Sequence, residues 1–106
     1  MRLPPALAAT ATPRILELLG DSPGRVLEVG FAGIHARPLE VAGFEVVVWE
    51  PDPAFAAQAR ERSASVVERP RGRFDAIVAT ADAALDEIDA ARAILVERDG
   101  SVHVAR

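Results

Sequence analysis

The stretch VLEVGFAG (residues 26–33) decides the fold, because it joins a buried strand to a glycine loop. Residues 25–29 are mostly apolar and suit a central strand, with Glu28 as the acid inside it. Gly30 and Gly33 bracket the loop that follows. Glycine allows a sharp turn and lets a ligand approach the backbone closely. The stretch therefore predicts a strand–loop unit that can form one wall of a ligand site.

Strands and helices alternate along the rest of the chain. Residues 44–49 contain the run VVV, which is expected of a parallel strand covered on both faces. The pattern predicts helices over residues 12–19, 38–42, 54–62 and from Asp82 to about Glu97, and further strands over residues 64–68, 74–80 and 101–105. This order is typical of an open α/β sheet with helices on both faces. Such sheets bind ligands at the carboxyl ends of their strands.

Two acids, Glu28 and Glu50, lie at the ends of the first two predicted strands. A carboxylate at such a strand end can accept both hydroxyls of a ribose. The pattern predicts an adenosine-type ligand bounded by residues 28–35, 50–53 and 80–82. The alternative is that the glycines only turn the chain and that both acids are solvated strand ends.

The order of several short motifs resembles the class I S-adenosylmethionine-dependent methyltransferases. The stretch VLEVG (residues 26–30) is similar to their first motif, and EPDPAFAAQAR (residues 50–60) is similar to the end of their second strand and the helix after it. FDAIVA (residues 74–79) resembles their fourth strand, and AIL (residues 93–95) with DGSV (residues 99–102) resembles the helix, turn and strand that follow.

This resemblance implies a three-layer Rossmann-like sheet with strand order 3-2-1-4-5 and S-adenosylmethionine as the cofactor. It implies that Glu50 binds the ribose hydroxyls, that Gly30 lets the loop pass beneath the methionine part, and that Glu28 orients the loop or receives the ammonium through water. The acid at Glu28 also favours the methyl donor over a nicotinamide dinucleotide, whose domains usually carry a neutral residue there. The expected cofactor-binding residues are Glu28, Gly30, Phe31, Ala32, Gly33, Glu50, Pro51 and Asp52.

The glycine loop departs from the family pattern. Ala32 and Ile34 stand where the family carries its second and third glycines. Because its Cβ is branched, Ile34 can adopt a positive φ only at a high cost in free energy. Pro38 lacks an amide hydrogen and is tolerated only in the first turn of a helix, so the next helix should begin near His35 or later.

The length of one connection limits the third strand. In the family order, strand three lies about 14 Å from strand four, at roughly 4.8 Å per spacing. Residues 69–73 reach at most about 18 Å, and a parallel crossover normally needs about a dozen residues. We therefore expect residues 64–68 to form a brief edge strand or none, in a sheet of four to five strands. The acid that contacts adenine in the family has only Glu68 and Asp52 as candidates, and we expect the closing antiparallel hairpin to be missing.

Few side chains qualify for catalysis. Asp82 is expected to cap the helix predicted to start there, and a general base is its alternative role. His35 is a candidate donor or base in the loop, with a solvated histidine as the alternative, and His103 is expected to be structural. Phe31 is a candidate lid over the ligand or packs against the nearby helix, and Trp49 is expected in the core. Two distant histidines predict no metal site.

Composition excludes several classes of protein. With 106 residues, the chain is expected to form one domain, residues 1–106. It has no cysteine, which excludes disulfides, thiolate zinc sites and a cysteine nucleophile. A net charge of -4 argues against general nucleic-acid binding. No apolar run approaches the roughly 20 residues that span a bilayer, and we expect a cytoplasmic protein.

The sequence predicts an S-adenosylmethionine-binding, methyltransferase-like domain, with methyl transfer to an unknown acceptor as its candidate reaction. The first alternative is a noncatalytic module that binds an adenosine ligand or another protein, and the second is a nicotinamide dinucleotide-binding domain. An exposed edge at residues 101–105 predicts a homodimer. The short chain leaves little material for an acceptor pocket, which argues against a self-sufficient methyltransferase.

Overall fold

The computed structural model describes residues 2–21 and 24–105. Within these residues the helices are α1 (Pro5–Thr10), α2 (Thr12–Leu19), α3 (Ala36–Val41) and α4 (Pro53–Arg62), and the strands are β1 (Arg25–Val29), β2 (Glu45–Trp49), β3 (Val66–Val67), β4 (Arg73–Thr80), β5 (Asp89–Val96) and β6 (Val102–Val104). The strands form one sheet in the order β3-β2-β1-β4-β5-β6. Neighbours pair in parallel except for β5 and β6, which are antiparallel.

The predicted α/β class and mainly parallel sheet are confirmed. The third strand is confirmed as brief, since β3 has two residues and pairs with the end of β2. The helix after the glycine loop starts at Ala36, as Pro38 requires. In the centre of the sheet, Glu28 of β1 lies opposite Val48 of β2 and Val78 of β4, which places its side chain in the interior.

Helices cover one of the two hydrophobic clusters. That cluster joins alternate residues of the central strands to apolar residues of the helices, among them Ile15 of α2, Leu39 of α3 and Ala59 of α4. Arg92 of β5 donates a hydrogen bond to the carbonyl of Leu18 and so ties the end of α2 to the sheet. The helices therefore cover the face of the sheet on which Phe31 of the glycine loop is buried.

The second cluster contains no residue of the described helices, which differs from the expected three layers. It joins strand residues such as Leu27 and Ile77 to Leu85 and Ile88 of the β4–β5 connection. The β3–β4 and β4–β5 connections have five and eight residues, 68–72 and 81–88, which is fewer than the dozen or so that a helical crossover needs. The second face is covered by irregular chain because neither connection has room for a helix.

The predicted helix from Asp82 to Glu97 is wrong. Its second half is β5, which pairs with β4 from Arg73 opposite Asp89 to Thr80 opposite Val96. Ile77 and Val78 on the two faces of β4 are both fully buried. A helix in place of β5 would leave the backbone of this buried strand unpaired along one edge, which is costly. Residues 89–96 therefore form a strand that pairs with β4, although the spacing of their apolar residues is also compatible with a helix.

The expectation that a closing antiparallel hairpin is missing is also wrong. β6 turns back on β5, and Val96 pairs with Val102 while Ile94 pairs with Val104. The sheet thus has six described strands rather than four to five. His103 lies on β6 and its Nε2 is 2.9 Å from Oε1 of Glu97, which supports the hairpin.

None of the helices in residues 2–21 and 24–105 has the length and apolar character of a membrane span.

Candidate functional site

The glycine loop has left-handed backbone at three positions. Gly30 and Gly33 have φ values of 80° and 78°, and Ala32 has a φ of 50°. For alanine this conformation costs roughly 1–2 kcal/mol, so neighbouring contacts must hold it. A Cβ placed on Gly30 would meet nothing within 4 Å. The loop therefore presents open space at Gly30 and a strained turn behind it.

Three side chains hold this loop. Oε1 of Glu50 accepts a hydrogen bond from the amide of Ala32 at 3.0 Å, and Nη1 of Arg62 donates to the carbonyl of Ala32 at 3.0 Å. Oε2 of Glu28 accepts from the amide of His35 at 2.8 Å. Because both backbone groups of Ala32 are bonded to charged side chains, its left-handed conformation is stabilised from both sides.

We expect Gly33→Ala to lower the free energy of unfolding by about 1 kcal/mol more than Gly30→Ala does. Both glycines have positive φ, 78° and 80°, so both variants carry a backbone penalty of roughly 1–2 kcal/mol. A Cβ at Gly30 meets nothing within 4 Å, whereas one at Gly33 lies 3.2 Å from Cβ of Arg62 and 3.4 Å from the carbonyl oxygen of Ala59. Urea denaturation of both variants gives the comparison, and equal losses would show that the loop does not press on α4.

Glu28 and His35 form a buried polar pair beneath the loop. Both residues are 0% exposed. Burial raises the pKa of Glu28 to about 7, although the His35 amide opposes the shift. Burial lowers the pKa of His35 to about 4. Oε1 of Glu28 and Nε2 of His35 have no hydrogen-bond partner among the described residues, so desolvation is not compensated at either atom.

The ring of His35 is fixed by its neighbours. Its Nδ1 is 2.8 Å from the hydroxyl of Thr12, and Phe31 packs edge-on against it with 4.7 Å between ring centroids. His35 therefore lies in neither of the positions considered from sequence, a ligand-facing base or a solvated loop residue. The ring instead lies in the interior, in contact with Thr12 of α2.

Glu50 lies at the carboxyl end of β2, and its side chain is fully buried. Besides the Ala32 amide, its Oε1 accepts from Nη2 of Arg2 at 2.6 Å, and its Oε2 accepts from the amide of Asp52 at 3.0 Å. The guanidinium of Arg2 also lies 3.6 Å above the centroid of the Phe55 ring. The carboxylate thus links the glycine loop, the start of α4 and the segment before α1.

A cavity of about 440 Å³ opens where β1, β2 and β4 end. It is lined by Arg2, Val29, Gly30, Trp49, Glu50, Pro51, Asp52, Thr80, Asp82, Ala83 and Ala84. A second, more apolar cavity of about 250 Å³ also borders Arg2 and Gly30, and its lining includes Leu3, Phe31, Ala32, Ile34 and Phe55. We call these the strand-end cavity and the helix-side cavity.

The strand-end cavity brings together five of the ten residues singled out from sequence, from all three of the predicted segments. These five are Gly30, Glu50, Pro51, Asp52 and Asp82. Phe31 and Ala32 instead line the helix-side cavity. Glu28 and His35 line neither of the two.

Two of the expected side-chain environments are different in the structure. Asp82 was expected to cap a helix, but residues 81–88 form a loop and no helix starts there. Trp49 was expected in the core, and it is half-buried, packing on the second cluster while also lining the strand-end cavity. By contrast, Asp52 caps α4 by accepting from the amide of Ala54 at 2.9 Å.

Sequence reasoning missed Arg2, Thr12, Phe55 and Arg62 as parts of this region. Arg2 and Glu50 are 48 positions apart, and Arg62 and Ala32 are 30 apart. No motif spacing encodes contacts of this kind. The buried acid at Glu50 was the available signal, because a buried carboxylate needs a partner.

Comparison with known proteins shows that the fold is similar to that of a methyltransferase. The structure is similar to the crystal structure of the glycopeptide N-methyltransferase MtfA, with a TM-score of 0.57 and 21% sequence identity. The match covers 77% of this chain and 42% of that chain, so this chain spans about two fifths of its neighbour's length. No protein-family model matches the sequence, and the search of curated proteins finds no match.

Proposed function

We propose that this chain binds S-adenosylmethionine or its product S-adenosylhomocysteine in the strand-end cavity. The observation that carries the proposal is the buried Glu50 carboxylate at the end of β2, bonded to the glycine loop and facing that cavity. Ligands of open α/β sheets bind at this edge, with an acid of this kind on the ribose. The methyltransferase fold of the structural neighbour supports the choice of ligand.

The residues at the cavity fit such a ligand in two respects. Gly30 faces open space where any side chain would project, so the backbone offers room for a close approach. Glu50 offers a carboxylate for hydroxyl groups, while Thr80 and Asp82 line the cavity beside it. When bound, S-adenosylmethionine would supply an activated methyl group. The chain's own contribution would be to position it, which is the main requirement of an in-line transfer.

Glu50→Gln is expected to weaken binding of S-adenosylhomocysteine by about 10- to 100-fold, the usual value of hydrogen bonds to a charged group. Glutamine keeps one acceptor oxygen and nearly the same shape. The matched control is Glu45→Gln, at the opposite end of β2, where the side chain is exposed. Isothermal titration calorimetry and the shift in melting temperature measure the effect.

Three outcomes would contradict the proposal. If millimolar S-adenosylhomocysteine does not raise the melting temperature of the wild-type protein, the proposed ligand is ruled out. If Glu45→Gln and Glu50→Gln lose binding affinity equally, Glu50 does not contact the ligand. If a nicotinamide dinucleotide stabilises the protein and S-adenosylhomocysteine does not, the ligand is a dinucleotide.

A noncatalytic binding module is the second candidate. Among the described residues that line the strand-end cavity, the carboxylates are Glu50, Asp52 and Asp82. The first two accept backbone amides, and Asp82 is the candidate base singled out from sequence. Incubation with methyl-labelled S-adenosylmethionine and cell lysate separates the two candidates, because label in any acceptor that is lost in Asp82→Asn would establish transfer by this site.

A further inference from the structure

We propose that residues 2–4 form a strap that closes the strand-end cavity, with the guanidinium of Arg2 occupying the acceptor that a ribose would need. This inference rests on the proposed function, and it adds a regulation of the same site. The contact that carries it is the ion pair of Arg2 with Glu50, 2.6 Å between Nη2 and Oε1.

The acceptor capacity of Glu50 limits what can bind there. An ionised carboxylate offers about four lone-pair sites, two on each oxygen. Oε1 accepts from Arg2 and from the Ala32 amide, and Oε2 accepts from the Asp52 amide. One lone-pair site therefore remains, whereas the two hydroxyls of a ribose need two. A bidentate ligand must displace one of the present donors.

Arg2 is the donor that can leave. The amides of Ala32 and Asp52 belong to the glycine loop and to the turn before α4, so they cannot withdraw without unfolding these elements. The side chain of Arg2 is long, flexible and 30% exposed, and such side chains regain substantial rotamer entropy on release. The displacement therefore occurs at Arg2.

The strap is nevertheless held in place. Arg2 packs over the Phe55 ring, which adds a cation–π contact to the ion pair. Leu3 is buried in the hydrophobic cluster that the helices cover, and α1 starts two residues later at Pro5. Arg2 lines both cavities, as does Gly30. Release of Arg2 would uncover the Glu50 carboxylate toward the strand-end cavity.

The strap lowers the apparent affinity of the site. If the ligand binds only when Arg2 is released, its apparent dissociation constant is the intrinsic constant divided by the released fraction. A strap that is released in about a tenth of molecules would weaken binding about tenfold. Removal of the guanidinium should then tighten binding by that factor.

The test is calorimetric titration of S-adenosylhomocysteine into the wild-type protein and into Arg2→Ala and Arg14→Ala. Arg14 is an exposed arginine that pairs with Glu17 on α2, so its variant makes the same change in net charge away from the cavity. We expect Arg2→Ala to bind about tenfold more tightly than wild type and Arg14→Ala to bind like wild type. Thermal melts without ligand establish that both variants are folded.

The outcomes separate the strap from the proposed function. Binding by the wild-type protein together with tighter binding by Arg2→Ala supports both. Equal or weaker binding by Arg2→Ala overturns the strap and leaves the proposed ligand in place. Absence of binding by all three proteins overturns the ligand, and the strap falls with it.

A measurement on the wild-type protein gives an independent readout. Tryptic cleavage after Arg2, followed by mass spectrometry, should become faster when S-adenosylhomocysteine is present, while cleavage after Arg14 should not. Slower cleavage after Arg2 in the presence of ligand would show that Arg2 closes over the ligand instead of leaving it, and would overturn the strap as proposed here.

Discussion

Glu28→Gln is expected to gain about 3 kcal/mol of stability relative to the wild-type protein as the pH rises from 4.5 to 7. In the folded protein, burial raises the pKa of Glu28 from 4.5 to about 7. Between these values the folded state holds a proton that the unfolded state has released, so raising the pH favours unfolding. The contribution of Glu28 to stability is complete below pH 4.5 and is lost by about pH 7. Glutamine does not titrate and has no such loss.

Urea denaturation at half-unit steps of pH measures this difference between variant and wild type. Glu45→Gln, whose side chain is 73% exposed, is the control for the change in composition. A difference profile for Glu28→Gln as flat as that of Glu45→Gln would mean that the Glu28 carboxyl reaches water in the folded protein. If the stability of Glu28→Gln relative to wild type falls as the pH rises, the folded protein favours the charged form of the Glu28 carboxyl.

The central motif could be predicted from sequence because its determinants are local. The strand over residues 25–29, the Asp52 cap of α4 and the start of α3 each depend on neighbours within a few residues. The short third strand could be predicted as well, since the reach of five residues is a matter of chain length.

The β4–β5 region could not be predicted because its structure depends on a partner strand. Leu85, Ile88 and Leu95 have a spacing that is compatible with a helix, while the run Ile94-Leu95-Val96 also suits a buried strand. Periodicity does not separate these two cases for a short apolar run. The deciding fact is that β4 is buried on both faces and needs a second pairing partner, which is a property of the assembled sheet.

Some features of the candidate site could likewise be predicted from local sequence, and others could not. The sequence places Gly30, Glu50 and Asp82 at strand or loop ends, and the topology then brings them to one cavity. What occupies Glu50 depends on Arg2, which is remote in sequence. The inward position of His35 depends on Thr12 and Phe31. A local pattern locates the cavity, whereas the state of its acids and bases is set by residues that approach from other elements.

His35→Asn is expected to give a difference profile of the opposite sign, gaining about 3 kcal/mol relative to wild type as the pH falls from 6.5 to 4. Burial lowers the pKa of His35 from 6.5 to about 4 in the folded protein. Between these values the unfolded state binds a proton that the folded state does not, so lowering the pH favours unfolding of the wild type. The contribution of His35 to stability is complete above pH 6.5 and is lost as the pH falls to 4. Asparagine does not titrate. The variant also loses the contact between the His35 ring and Phe31, which lowers stability by an amount that does not vary with pH.

The two slopes oppose each other in the wild-type protein, because the loss at Glu28 and the gain at His35 overlap between pH 4.5 and 6.5. The wild type therefore conceals both, and the double variant Glu28→Gln, His35→Asn should again show little slope from this pair. His103→Asn, which makes the same change at an exposed histidine, is the matched control for the single variant. If His35→Asn and His103→Asn have the same profile, the ring of His35 is not buried against α2. If the difference profile of the double variant departs from the sum of the two single-variant profiles, the two groups do not titrate independently.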